Sequence, residues 1–77
     1  MRELVEQIVK QIVDSPDEVE VREVKGEKVI LVELSVAKND IGKVIGKGGR
    51  VANAIRTIVG AAAAKLNKRV MVEILEQ

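Results

Sequence analysis

Apolar and polar positions change their spacing along the first third of the chain. Between residues 3 and 13 the apolar side chains recur every three or four positions, which predicts an amphipathic helix. Proline cannot continue a helix, so we expect this one to end before Pro16. Val19, Val21 and then Val24 follow a spacing close to two, which predicts a strand with charged residues on its other face.

The next segment, Val29 to Val36, is rich in β-branched residues and predicts the strongest strand of the chain. One face of this strand is expected to hold Ile30, Val32, Leu34 and Val36. The other face is expected to hold Val29, Leu31, Glu33 and Ser35. The preceding stretch, Lys25 to Lys28, is short and contains a glycine, so the two strands are expected to form an antiparallel hairpin.

Two helical patterns follow the hairpin. Asn39 or Asp40 is expected to cap a short helix over about Ile41 to Ile45, which ends at Gly46. A longer helix is predicted from about Arg50 to Leu66. The apolar stripe of this longer helix is expected to face inward and consists of Val51, Ala54, Ile55, Ile58, Val59, Ala62 and Leu66.

Asn67 is expected to stop the longer helix in a left-handed conformation before a last strand, Arg69 to Leu75. Its inward side chains are expected to be Val70, Val72 and Ile74. The element order is then α-β-β-α-α-β, and the long crossover allows the second and third strands to lie parallel. We therefore predict an α+β fold, a three-stranded mixed sheet with helices packed on one face, as one domain over residues 1–77.

The charges are distributed unevenly although the net charge is only +1. Residues 1–37 carry five Lys or Arg against nine Asp or Glu, whereas residues 38–69 carry eight Lys or Arg against Asp40 alone. A charge run is usually a solvated face, but this basic block coincides with a glycine-rich stretch. A local basic patch on a nearly neutral protein indicates a polyanionic partner.

The composition excludes several kinds of function. The chain has no histidine, cysteine or aromatic residue, and its carboxylates are predicted to face solvent, so we expect no enzyme, no metal site and no cofactor. Without aromatic rings, no base can stack on a side-chain ring. No apolar run approaches the roughly 20 residues that cross a membrane. The absence of cysteine suits a cytoplasmic protein.

The chemistry is concentrated in the stretch Val44 to Arg50, where Gly46, Lys47, Gly48 and Gly49 separate the two predicted helices. Such a turn leads into a helix N-terminus, whose free N–H groups favour an anion such as phosphate. A Walker A loop is excluded because only three residues separate Gly42 from Gly46 and no hydroxyl residue follows the lysine. A dinucleotide-binding loop is excluded because Val51 replaces its third glycine. A plain helix connection remains the alternative.

This stretch resembles the signature of the KH domain, which binds RNA and single-stranded DNA. The apolar pair Val44-Ile45, the Gly-x-x-Gly loop Gly46 to Gly49 and the helix that begins with Arg50 and Val51 carry the resemblance. The order α-β-β-α-α-β is similar to the type II KH fold, and the whole chain is similar to the small bacterial KH proteins of the KhpA family. The resemblance implies single-stranded RNA binding in the cytoplasm, in post-transcriptional regulation or as an RNA chaperone, and pairing with itself or with a larger KH-containing protein.

The expected RNA contacts follow from the loop and the helices on either side of it. Gly46 and Gly49 would let the backbone approach the RNA, while Lys47 and Arg50 would contact phosphate and Gly48 would add only backbone. The bases would lie in a groove between the helices and the sheet, lined by the aliphatic residues of the strand Val29 to Val36 and by Ile41, Val44 and Ile45. Three more cations extend the positive charge or are ordinary solvated side chains, namely Lys38, Lys43 and Arg56.

A second reading of the same fold gives RNA a minor role. The apolar residues on both faces of the strands suggest a module whose main task is to dimerise or to bind another protein. The residues that motivate this alternative are Val29, Leu31, Met71 and Leu75.

Overall fold

The computed structural model describes residues 1–75 and contains the predicted elements in the predicted order. These are α1 (Arg2–Lys10), β1 (Glu20–Lys25), β2 (Val29–Ser35), α2 (Ile41–Ile45), α3 (Arg50–Ala64) and β3 (Arg69–Ile74). Short 3-10 turns lie at Pro16–Glu18, Lys38–Asp40 and Lys47–Gly49. The order α-β-β-α-α-β is therefore confirmed. The domain predicted over residues 1–77 extends to residues 76 and 77, which lie outside the described residues.

The two longer helices are shorter than predicted. α1 ends at Lys10, and Ile12 and Val13 continue only as a turn, with both N–H groups donating to the Val9 oxygen at 2.9 and 3.1 Å. α3 ends at Ala64, and the tighter turn that follows leads into Asn67, whose φ of 57° is left-handed as predicted. Helix ends commonly tighten in this way, and apolar periodicity does not show where the last full turn lies.

The sheet has the predicted mixed topology. Its strand order is β1-β2-β3, with β2 in the middle. β1 pairs antiparallel with β2, with Glu20 opposite Ser35, and β3 pairs parallel with β2, with Val29 opposite Arg69. The central position of β2 means that the two edges of the sheet belong to β1 and β3, which matters for the candidate site.

The helices cover one face of the sheet and leave the other open. Val5 and Val9 of α1 and Ile55 and Val59 of α3 are buried in one core cluster with the inward side chains of β2. Those side chains are the predicted ones, Ile30, Val32 and Leu34, and the predicted Val36, just after β2, is buried with them. On the opposite face the structure leaves aliphatic side chains exposed, including Val24 at 52% and Met71 at 57%. No helix within residues 1–75 is long and apolar enough to span a membrane.

The predicted inward stripe of α3 is only partly correct. The buried residues are Ala52, Ile55, Val59 and Ala63, whereas Ile58 and Leu66 are 50% and 58% exposed. Apolar residues occupy most of the circumference of this helix, so the 3.6-residue period does not single out one face. Contact with the sheet selects the face, and the two alanines on it allow the helix backbone to come close to its neighbours.

Candidate nucleic-acid interface

The turn between α2 and α3 is closed by its own backbone. The N–H of Gly46 donates to the oxygen of Gly42 at 2.9 Å and ends α2, and the N–H of Gly49 donates to the oxygen of Gly46 at 3.1 Å. Gly46 and Gly49 have φ values of 77° and 79°, which residues with a Cβ rarely adopt. The first and last glycines of the loop thus fix the angle between the two helices.

Gly46 is also required by its neighbours, whereas Gly48 is not. A Cβ on Gly46 would lie 2.5 Å from Cγ2 and 2.8 Å from the backbone nitrogen of Val51. A Cβ on Gly48, at the tip of the turn, would meet no atom within 4 Å. The space around this tip is therefore open to an incoming chain, while the base of the turn is packed tightly.

Two exposed cations stand beside the start of α3. None of the hydrogen bonds or ion pairs found in residues 1–75 includes the side chain of Lys47 or Arg50. The first turn of α3 contains no acidic residue that could compete for its N–H groups. The positive end of the helix dipole and two unpaired cations together suit a phosphate-bearing ligand.

Lys43 differs from these two cations because it already has a partner. Its Nζ donates a short hydrogen bond to Oδ2 of Asp14, in the connection between α1 and β1. This bond raises the pKa of Lys43 above its ordinary value of 10.5, so the side chain is charged at neutral pH. Lys38, in the 3-10 turn before α2, is exposed and has no described partner.

Asp40 lies at the N-cap position of α2 but does not cap it with its side chain. Its carboxylate accepts hydrogen bonds from the N–H groups of Asp14 at 3.1 Å and Ser15 at 3.0 Å, and the residue is 1% exposed. The expectation that the carboxylates face solvent is thus wrong for Asp40. The only sequence signal was its position as the single acidic residue in the basic block. Asp40 fastens the chain after α1 to the start of α2.

The structure corrects the predicted lining of the groove. Val44 is fully buried, so its side chain supports α2 from inside and cannot contact a ligand. Ile41 and Ile45 are partly exposed and remain available. The prediction that the strand Val29 to Val36 lines the groove is wrong because β2 is the central strand, and the sheet edge beside α3 is β3.

Arg56 connects α3 with that edge. Its Nη2 donates a 3.2 Å hydrogen bond to the backbone oxygen of Val72 in β3. The predicted cations therefore fall into three groups. Lys47, Arg50 and Lys38 are unpaired, Lys43 is paired with a carboxylate, and Arg56 is bound to a backbone carbonyl.

The described residues present groups that can bind a ligand at the turn. Within residues 1–75 no three His, Cys, Asp or Glu side chains come together as they would around a metal ion. The turn offers backbone N–H groups and cations, and the neighbouring α2 offers aliphatic side chains. This element order, with a Gly-x-x-Gly turn between two adjacent helices, is typical of one class of α+β domain. That class is the KH domain.

Comparison with known proteins identifies the family within this class. The family model described as "KhpA/KhpB, KH domain" matches residues 2–74. The chain belongs to this family, and the predicted membership is confirmed.

Several curated relatives carry the name "RNA-binding protein KhpA". The relative from Clostridium acetobutylicum is 61% identical, over 97% of this chain and 100% of its own length. The relative from Clostridium perfringens is 60% identical over the same shares of both chains. The relative from Aquifex aeolicus is 49% identical, over 99% of this chain and 96% of its own length.

A solved structure supports the fold at greater distance. The crystal structure of Aquifex aeolicus Era bound to GDP and aluminium fluoride contains a region that superposes with a TM-score of 0.71. The superposition covers 97% of this chain and 29% of that chain, at 20% sequence identity. At that identity the likeness concerns the fold alone.

Proposed function

We propose that this protein binds single-stranded RNA through the turn Gly46 to Arg50. The observation that carries the proposal is the unpaired state of the Lys47 and Arg50 side chains beside the N-terminus of α3. The names of the relatives support RNA as the polyanion. The open space at Gly48 gives a sugar–phosphate backbone access to the main chain.

Each part of the turn has a distinct role in this proposal. Lys47 contacts phosphate as a mobile point charge, and the planar guanidinium of Arg50 holds phosphate oxygens in pairs. Ile41 and Ile45 supply an aliphatic surface for the adjoining bases. Phosphate contacts position a strand but do not read its sequence, so we expect weak binding with mild base selectivity.

We place the protein among the non-catalytic RNA-binding proteins of the cytoplasm, without a cofactor, and treat residues 1–77 as a single KH domain. It would act in post-transcriptional regulation or as an RNA chaperone. A module of this size that contacts about three phosphates should show a slope of log K against log salt of about −2, at about −0.7 per contact for single strands.

The double variant Lys47→Asp with Gly48→Asp tests the proposal. Both positions are exposed, and Gly48 has room for a side chain, so the fold should survive. We expect the affinity for a single-stranded oligoribonucleotide to fall by at least about 100-fold in fluorescence anisotropy, because two carboxylates replace the phosphate-binding cation. Circular dichroism should remain unchanged.

The control carries the same change of net charge on the other glycine-containing turn, Lys25→Asp with Lys28→Asn in the β1–β2 hairpin. This control should keep its RNA affinity within about threefold. Its changed charges act on the RNA only over a distance, and salt screens such interactions. Equal losses in both variants would show that net charge, and not the turn, controls binding. If the Lys47 and Gly48 variant keeps its affinity for RNA, the RNA-binding site lies elsewhere on the protein.

A second candidate function, self-association, is favoured by the open face of the sheet. Val24, Leu31 and Met71 lie opposite one another on three adjacent strands and form an apolar row. The neighbouring row consists of Arg22, Glu33 and Glu73. An uncovered apolar row flanked by charges is typical of an interaction surface.

The register makes this face complementary to itself. If two copies pack face to face about a two-fold axis along the strands, β1 of each copy lies over β3 of the other. Val24 then meets Met71 of the second copy, and Arg22 meets Glu73 of the second copy, twice by symmetry. The two copies would bury apolar surface and add two ion pairs, and the Arg22–Glu33 pair at 3.7 Å would remain in each.

Charge exchange on the apolar row tests the dimer. Val24→Asp with Met71→Asp should abolish concentration-dependent dimerisation in sedimentation experiments, because carboxylates would face each other. Val24→Lys with Met71→Asp should restore it, because opposite charges would then meet. If the wild type stays monomeric at high concentration, self-association on this face is rejected. If it forms a complex only with a larger KH-containing protein, this face serves a heterodimer and not a homodimer.

A further inference from the structure

The end of the domain opposite the glycine turn collects five cations from two segments that are distant in sequence. Lys25 ends β1, and Lys28 lies in the connection to β2. Lys65 and Lys68 follow α3, and Arg69 begins β3. The N–H of Arg69 donates to the backbone oxygen of Lys28 at 2.9 Å, which holds the two segments together. We call these five side chains the basic end.

The basic end has little negative charge within it. Glu27 is the one acidic residue in its two segments, residues 25–28 and 65–69. None of the ion pairs found in residues 1–75 includes a cation of the basic end. Lys68 Nζ donates to the backbone oxygen of Gly26 at 3.3 Å, so this contact stays inside the cluster. Five cations against one carboxylate leave a local charge of +4, whereas the whole chain carries +1.

The helix α3 separates the basic end from the turn. Lys65, Lys68 and Arg69 belong to the same basic block of the sequence as the cations of the turn. The 15 residues of α3 lie between the two groups and correspond to about 22 Å along the helix axis. Like charges that are held together repel each other, so a cluster of unpaired cations indicates a polyanionic partner. The turn cannot account for this second cluster.

We propose that the basic end is a second RNA-binding site, which contacts phosphates of a further segment of an RNA already held at the turn. The inference rests on the proposed RNA binding and extends it to longer RNAs. RNA is favoured as the polyanion because the turn brings it to the protein. The second contact then forms within one complex, at a high effective concentration. Four of the five cations are lysines, which bind phosphate as point charges, and phosphate contacts carry no base preference.

The distance between the two sites makes the second contact dependent on RNA length. A KH turn clamps about four nucleotides, which extend over about 14 Å at the 3.4 Å spacing of a stacked strand. That is shorter than α3, so a short RNA at the turn does not reach the basic end. About seven more nucleotides span the gap. The hairpin variant Lys25→Asp with Lys28→Asn should therefore keep its affinity for a short RNA and lose affinity for a long one.

The experiment compares tetra-adenylate with a 24-nucleotide oligoadenylate in fluorescence anisotropy at several salt concentrations. For the wild type we expect a slope of log K against log salt of about −2 with the short RNA. With the long RNA we expect about −4, because about three further phosphate contacts add about −0.7 each.

The test variant combines Lys28→Gln, Lys65→Gln and Arg69→Gln, at exposed positions whose side chains have no described partner. Its slope with the long RNA should return to about −2, and its affinity for that RNA should fall at least about tenfold. Its affinity for the short RNA should stay within about threefold of the wild type, because the removed charges act there only over a screened distance.

The control variant combines Arg2→Gln, Lys10→Gln and Arg22→Gln. It has the same change of net charge, at exposed cations that are each paired with a glutamate. Its slope with the long RNA should stay at about −4. Because all variants are compared on the same RNA, the larger number of positions on a long strand cancels. Equal losses in both variants would show that net charge, and not the basic end, determines the dependence on length.

A single substitution keeps the test decisive if the triple variant does not fold. Lys65→Gln alone should make the slope with the long RNA shallower by about 0.7, as the loss of one phosphate contact requires. Lys65→Arg keeps the charge and should leave the slope unchanged. An unchanged slope in Lys65→Gln together with an unchanged affinity for the long RNA would contradict a role of this lysine.

Three further results would overturn the inference. If the wild type binds both RNAs with the same slope, the second site is rejected while binding at the turn stands. If the wild type binds neither RNA, the proposed RNA binding itself fails, which is a different result. The triple variant is also tested on vesicles that contain phosphatidylglycerol. If it keeps the long-RNA slope but loses a vesicle binding that the wild type has, the basic end binds an anionic lipid surface and not RNA.

Discussion

The glycine turn and the open face of the sheet expose opposite kinds of chemistry. At the turn the main chain itself is presented, with Lys47 and Arg50 unpaired beside it. On the open face alternate side chains are presented, with exposed aliphatic residues such as Met71 and with Arg22 already paired with Glu33 at 3.7 Å. The turn has donors and positive charge to offer, whereas the face has apolar surface.

The contrast shows how so short a chain can separate two surfaces. A polyanion needs cations that are not already used, and of these two surfaces it is the turn that supplies them. The carboxylates of Glu33 and Glu73 on the open face repel phosphate, so RNA is directed away from it. The two surfaces can therefore be altered independently, and each of the following predictions uses that independence.

The largest effect on stability is expected for Gly46→Ala, which changes the backbone and the packing of the turn. The added methyl would overlap Val51 and occupy a left-handed φ of 77°. We expect a loss of about 2–4 kcal/mol in the free energy of unfolding, from overpacking and backbone strain together. Urea denaturation measures it. Gly48→Ala is the matched control, with φ of 63° but open space, and should lose only about 1 kcal/mol; equal losses would mean that packing against Val51 is unimportant.

A smaller loss in the free energy of unfolding is expected for Asp40→Ala. This substitution removes the carboxylate that joins the start of α2 to the chain after α1. The N–H groups of Asp14 and Ser15 would lose their acceptor. Part-buried donors without a partner should lower the free energy of unfolding by about 2 kcal/mol. Thermal or urea denaturation measures the change. Asp17→Ala, at an exposed carboxylate in the adjoining 3-10 turn, should change stability by less than about 0.5 kcal/mol, and a similar loss there would deny Asp40 a special role.

Asp14→Asn tests whether its ion pair with Asp14 keeps Lys43 from contacting RNA. The substitution removes the charged partner of Lys43 and frees that cation for RNA. We expect affinity to rise about threefold and the salt slope to steepen by up to about 0.7, because one more phosphate contact becomes available. Anisotropy titrations at several salt concentrations measure both. Asp17→Asn has the same charge change without a lysine partner, so a slope that steepens equally in both variants would exclude Lys43 as the cause.

The smallest effect on RNA binding is expected from the open face. Val24→Asp with Met71→Asp lies on the side of the sheet away from the helices. Its RNA affinity should stay within about twofold of the wild type, since the added charges act only through screened, long-range repulsion. The same anisotropy assay measures it. A loss of tenfold or more would mean that the two surfaces are coupled and that pairing of two chains contributes to the RNA site.

The spacing of apolar residues in β2 and β3 predicted their inward faces correctly, because a two-residue period allows only two choices. The same kind of evidence was insufficient for α3. Ile58 is as apolar as Ile55, yet only Ile55 is buried, because a helix that is apolar on most sides can pack on the sheet with any of several faces. The central place of β2 was likewise not predicted, and with it the identity of the edge beside α3.

The amino-acid sequence by itself determined the order of the elements, the glycine turn and the family, because periodicity and turn chemistry act over a few neighbouring residues. Only the tertiary structure decided which cations are free. Asp14 meets Lys43 across 29 positions of sequence, Asp40 meets Ser15 across 25, and Arg56 meets Val72 across 16. Contacts at such separations depend on how the helices and the sheet pack, and local sequence patterns carry no record of that packing.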